Sequence, residues 1–125
     1  MVTAENLSST AIFKIAVPKQ AALNIRKAVE FYEQNLGFSK RFEMDDYAAV
    51  GRGSVEIHLW QCDDKYIAEN TACRINVEGI DVLYQEYEVK GIVHPHGKLV
   101  TTPWGTKEFT VLDLDGNGIT FCEAS

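Results

Sequence analysis

The sequence predicts an α+β fold built of duplicated βαβββ units, and three observations carry that expectation. An amphipathic helical pattern occurs twice, a short strand pattern precedes each copy, and three strand patterns follow each copy. At 125 residues the chain is one domain, 1–125, with repeats over approximately 11–62 and 70–124.

The first strand is expected in "AIFKIAVPK". In "LNIRKAVEFYEQNLGF" the apolar residues Ile25, Ala28, Val29, Tyr32 and Leu36 share one helical face. Asn24 suits the N-cap and Gly37 the stop. Three strands follow in "FSKRFEMD", "DYAAVGRG" and "SVEIHLWQ", marked by alternation and glycine turns. The second repeat opens with the strand "ACRINV" and the helix "EGIDVLYQEYEVKGI", which carries Ile80, Leu83, Tyr84 and Tyr87 on its apolar face. Its strands are expected in "GIVHPHGKLV", "TKEFTVLD" and "GITFCE", the last two joined by a tight turn at Asp115–Gly118. One such unit leaves a sheet face bare, so two units sharing a groove are expected.

Alternation assigns the faces. Val55, Ile57 and Leu59 go to the helix, leaving Glu56, His58 and Trp60 for the groove. In the second repeat Ile75, Val77, Ile119 and Phe121 go to the helix, leaving Ala72, Arg74, Asn76, Thr120 and Cys122 opposite. Phe31, Tyr32, Tyr84 and Tyr87 read as core.

Composition narrows the function. The net charge is -6, which disfavours nucleic acid as a partner. Three widely spaced cysteines form no disulfide framework, so a reducing, cytoplasmic setting is expected. No apolar run is long enough to span a bilayer, so no membrane partner is expected, and the N-terminus lacks the pattern of a signal peptide. There is no nucleophile elbow and no phosphate-cradling loop that opens a helix. His94 and His96 flank Pro95 in a loop-like stretch and read as surface histidines.

With the duplication in view, "AVEFYEQNLGF", "VEIHLW" and "PWGTKEFTVLDLDGNGITF" resemble the vicinal oxygen chelate superfamily, which includes glyoxalase I, extradiol dioxygenases and bleomycin-resistance proteins. The bleomycin-resistance proteins add the "AVP" start, "LGFS", the Asp45-Asp46-Tyr47-Ala48 stretch and "PWG-x-EF". Superfamily enzymes bind a divalent metal through four His or Glu side chains, and the resemblance places those positions at Val17, Glu56, Ala72 and Thr120. Val17 is matched with Ala72 and Glu56 with Thr120. Only Glu56 carries a ligating group, so neither a metal nor another cofactor is expected. The alternative, a divergent metal-dependent lyase or dioxygenase, would rely on Glu56 and His58.

The resemblance then implies a metal-free binding protein for flat, cationic, bleomycin-like antibiotics, with clefts at a homodimer interface and an exchanged N-terminal strand. The residues expected to meet the ligand are Phe42, Tyr47, Trp60 and Trp104 by stacking, and Asp45, Asp46, Glu56 and His58 by charge or hydrogen bonding. Glu43 is a further carboxylate for the cationic tail. Arg41 departs from the family's acidic preference and Trp60 from its preference for a small residue.

Overall fold

The computed structural model describes residues 11–124. Its elements are β1 (Lys19–Ala22), α1 (Ile25–Asn35), β2 (Ser39–Glu43), β3 (Tyr47–Arg52), β4 (Val55–Gln61), α2 (Lys65–Glu69), β5 (Ala72–Asn76), α3 (Ile80–Val89), β6 (Val100–Thr101), β7 (Thr106–Leu112) and β8 (Gly118–Ala124). They form two four-stranded sheets, ordered β1-β4-β3-β2 and β5-β8-β7-β6. In each, the first strand of the repeat pairs parallel with the last and the remaining pairs are antiparallel. The βαβββ order is therefore present twice.

Local chemistry fixes the helices. Asn24 Oδ1 accepts from the Lys27 N–H at 2.9 Å, the N-cap its sequence position predicts. At the start of α3 the N-cap is Gly79, left-handed at φ 81 and without a side chain to cap with. Glu123 of β8 takes over, accepting from the N–H groups of Gly79 and Ile80 at 3.1 and 3.0 Å.

Three expectations are corrected. The first strand begins only at Lys19; Ala11–Pro18 lies outside both sheets, with Ile12, Phe13 and Ile15 exposed. "GIVHPHGKLV" is mostly loop, holding a single bridge from Val93 to Val111 before the two-residue β6. Pro95 lacks an N–H for a ladder, and Gly97 lies against the Thr110 backbone. The short helix α2 was not anticipated, although Asp64 caps it through the Tyr66 N–H at 2.9 Å. Residues 1–10, which precede the N-terminal strand expected to exchange, lie outside the described residues.

Packing sets where the outward faces point. Ile57, Leu59, Val50 and Ala48 of the first sheet join Ile75, Phe109, Val111, Ile119 and Phe121 of the second in one core, together with Ile25, Val29 and Tyr32 of α1 and Tyr87 of α3. The helix-bearing faces thus meet each other. The polar faces look away from that core, so the two sheets do not enclose a groove within one chain.

Polar locks join the repeats. The fully buried Asn117 donates from Nδ2 to the Ala21 carbonyl at 2.7 Å and accepts the Ala21 N–H at 3.1 Å. Tyr32 donates to Asp113 at 2.6 Å, and Tyr87 donates to the Leu36 carbonyl at 2.7 Å. Burial raises the Asp113 carboxyl, against the lowering effect of its bonds from Tyr32 and Asn117. "DLDGNG" is thereby a structural joint. Asp113 Oδ1 accepts from the N–H groups of Asp115 and Asn117, which closes the turn.

Candidate ligand-binding site

The outward face of the first sheet carries an aromatic platform. Alternation in β3 and β4 puts Tyr47 and His58 on the side opposite Ile57 and Leu59, and Phe42 of β2 joins them opposite Ala49. The rings of Phe42 and Tyr47 are stacked, with centroids 6.2 Å apart and planes 15° apart. The His58 ring stands edge-on to both, at 5.8 and 5.3 Å.

Hydrogen bonds fix this arrangement. Glu56 Oε2 lies 2.7 Å from His58 Nε2, and a carboxylate only accepts, so Nε2 carries a proton. With Nε2 as the donor, His58 Nδ1 accepts the Tyr47 hydroxyl at 2.7 Å. The other Glu56 oxygen takes Arg41 Nη1 at 3.0 Å, and Arg41 Nη2 donates to the Gly53 carbonyl at 3.0 Å. The bond from His58, followed by that from Arg41, holds the Glu56 carboxyl below its ordinary range.

Arg41 reaches Glu56 because of a β-bulge. The pairing of β2 with β3 slips between Lys40 and Phe42, leaving Arg41 as the extra residue. Its guanidinium crosses Gly51, where any side chain would collide with it. Lys19, opposite His58 in the parallel register, holds its ammonium 5.7 Å above the Tyr47 ring. Alternation alone revealed neither the bulge nor this cation.

The outward face of the second sheet carries a different set. Arg74 pairs with Glu108 at 2.6 Å, and the Thr106 hydroxyl donates to the same carboxylate at 2.9 Å. These two bonds hold Glu108 below its usual range, with a smaller contribution from the Trp104 side chain. Trp104 occupies the Thr102–Thr106 turn, which is closed by a 3.1 Å bond from the Gly105 N–H to the Thr102 carbonyl, and is 72% exposed. Thr120 bonds Thr110 at 2.9 Å, and the Cys122 thiol lies 2.7 Å from Asn76 Oδ1. A cavity of about 610 Å³ on this face is lined by Arg74, Asn76, Thr106 and Cys122 among others. Glu108 went unremarked in the sequence reading. Its alternation with Phe109 and Val111 was the available signal.

The remaining expected residues border or leave the platform. Trp60, opposite Tyr47 on the same outward face, is half-buried and packs with Ala21, Cys62 and Ala68 beneath α2. Asp45 and Asp46 are exposed in the β2–β3 connection; Asp45 borders a depression of about 440 Å³ shared with Asn24, Arg26 and Lys40, away from the aromatic platform. Glu43 is taken by Arg26 at 2.7 Å.

Residues 3–125 match the family model described as Glyoxalase superfamily protein. The chain belongs to the glyoxalase superfamily. Among curated proteins it is similar to the bleomycin resistance protein of Geobacillus stearothermophilus, 34% identical over 123 residues, covering 85% of this chain and 93% of that one. Among solved structures it is similar to the bleomycin-binding protein of bleomycin-producing Streptomyces verticillus complexed with copper(II)-bleomycin. That comparison gives a TM-score of 0.80 and 29% identity, covering 93% of this chain and 99% of that chain. A glyoxalase-related enzyme from Clostridium phytofermentans shares the fold, with a TM-score of 0.76 and 20% identity, covering 94% of this chain and 99% of that one.

The metal that superfamily enzymes use does not fit the residues present. Val17 and Ala72 offer no donor, the Thr120 hydroxyl is engaged by Thr110, and both Glu56 oxygens are occupied. Among the described residues no three His, Cys, Asp or Glu side chains converge as a metal site would require. The register also corrects the matching of the repeats. Lys19 faces His58 as Arg74 faces Thr120, so the counterpart of Thr120 is His58 and that of Glu56 is Gly118.

Proposed function

We propose that this chain is a binding protein that sequesters bleomycin-like antibiotics, holding the drug without making or breaking a bond. The observation that carries the reading is the Phe42–Tyr47–His58 cluster of aromatic rings, with Tyr47 and His58 fixed by hydrogen bonds, in a chain 34% identical to a bleomycin resistance protein. A planar heteroaromatic gains about 0.5–1.5 kcal/mol per stacking contact on such rings beyond the burial of area.

The site is a cleft between two copies of the chain, one contributing the platform and the other the face bearing Trp104, Glu108 and Arg74. Two observations support this. The aromatic platform and Trp104 lie on different sheets whose outward faces do not meet within one chain. An arm exposing Ile12, Phe13 and Ile15 also precedes the edge strand β1, offering apolar surface for a second copy to cover. Its three unpaired cysteines suit a reducing cytoplasm. Burial pushes the Cys73 thiol up to about 11, which keeps it protonated and unreactive.

Tryptophan fluorescence titrated with metal-free bleomycin tests the reading. Saturable quenching with a stoichiometry of one drug per chain is expected, and no change at tens of micromolar would reject that ligand.

A further inference from the structure

The acidity of the whole chain does not extend to the platform. Glu56 is the carboxylate at its edge, and both of its oxygens are committed, one to Arg41 and one to His58. Arg41 holds the Glu56 that bonds His58, and Lys19 lies over Tyr47, so the platform has a cation at each end in a chain whose net charge is -6. Neither cation is there by accident of rotamer alone. The bulge in β2 and the bare Gly51 aim Arg41, and the parallel register sets Lys19 beside Tyr47.

We infer that Arg41 and Lys19 determine the charge selectivity of the platform: it accepts a flat ligand that is neutral or anionic at the Glu56–Tyr47 edge and disfavours one that is cationic there. This rests on the platform being the ligand floor, as proposed above. A cation above Tyr47 already occupies the face that a cationic ligand would use, and the guanidinium on Glu56 cancels the charge that would attract it. A bleomycin-like molecule then lies with its planar heteroaromatic on the exposed Phe42, since Lys19 covers Tyr47, and its cationic end turned away from Arg41 and Lys19.

Two isosteric flat probes, naphthalene-2-carboxylate and 2-naphthamidine, titrated alongside bleomycin, test the assignment. Wild-type protein binds the carboxylate about fivefold more tightly than the amidine at low salt, and 0.5 M salt narrows the gap. Arg41→Gln inverts the preference, Lys19→Gln narrows it, and Arg41→Lys retains it because the charge remains. A wild-type preference for the amidine, an unchanged ratio in R41Q, or no binding of either probe would overturn the inference. Failure of bleomycin itself to bind would remove the sequestration reading instead, with the two probes still deciding the charge selectivity.

Discussion

The phenol of Tyr32, on the helix of the first repeat, donates a 2.6 Å hydrogen bond to Oδ2 of Asp113 in the last hairpin of the second. Both groups are buried, so the bond has no water to replace it. Tyr32→Phe leaves that oxygen with Asn117 Nδ2 as its remaining partner. A loss of about 1–3 kcal/mol in urea denaturation is expected, with the fold retained. An unchanged midpoint would show that the bond is not needed to join the repeats.

Arg52 reaches across to α3, pairing with both oxygens of Glu86 at 2.8 and 2.9 Å. The bond from Arg52 holds the Glu86 carboxyl below its ordinary 4.5. A depressed carboxylate contributes stability that is present above the unfolded value and lost as pH falls through the folded one. The stability difference between wild type and Glu86→Gln should therefore be larger at pH 6 than at pH 3. It should stay below about 1 kcal/mol, since both partners are more than a third exposed. Burial raises Asp113, which acts in the opposite sense, so only the difference between the two proteins isolates Glu86.

Trp104 and Trp60 separate by the kind of damage their loss causes. Trp104→Ala removes an exposed indole and should weaken bleomycin binding about 2- to 10-fold in calorimetry, with the melting temperature almost unchanged. Trp60→Ala empties the space between α2 and the first sheet and should cost roughly 2 kcal/mol of stability, below the range for a full core indole. Equal effects of the two substitutions on stability would contradict this division.

The exposed arm gives a test of association. Phe13→Asp combined with Ile15→Asp should convert the proposed dimer to monomers in sedimentation velocity while the far-UV spectrum is retained. A sedimentation coefficient unchanged from wild type would place the interface elsewhere.

Much of the architecture was legible because it depends on periodicity. The spacing of Ile25, Ala28, Val29 and Tyr32 yields the buried face of α1, and alternation in β4 puts Ile57 and Leu59 in the core. The loop over 91–99 was misjudged because its apolar residues pack on the core with a single bridge, at Val93, in place of a ladder. Ile92, Val93 and Leu99 do so around Pro95 and Gly97. At the site, parity puts Glu56, His58 and Trp60 on the outward face, whereas Phe42 and Tyr47 come from the family resemblance. The Arg41–Glu56 pair was not found, because a bulge breaks the alternation on which parity relies. The orientation of the sheets was also beyond periodicity, which assigns an inner and outer side to each strand and says nothing of what the outer sides face.

The clasp of Asn117 on Ala21 has a temporal consequence. The two residues are separated by 96 positions, and the clasp cannot close until the last hairpin has been synthesised. A nascent chain on the ribosome can assemble its first sheet and α1 early, yet the apolar surface that the second repeat covers must wait. The interval before release is when chaperones would find this polypeptide most in need of shelter.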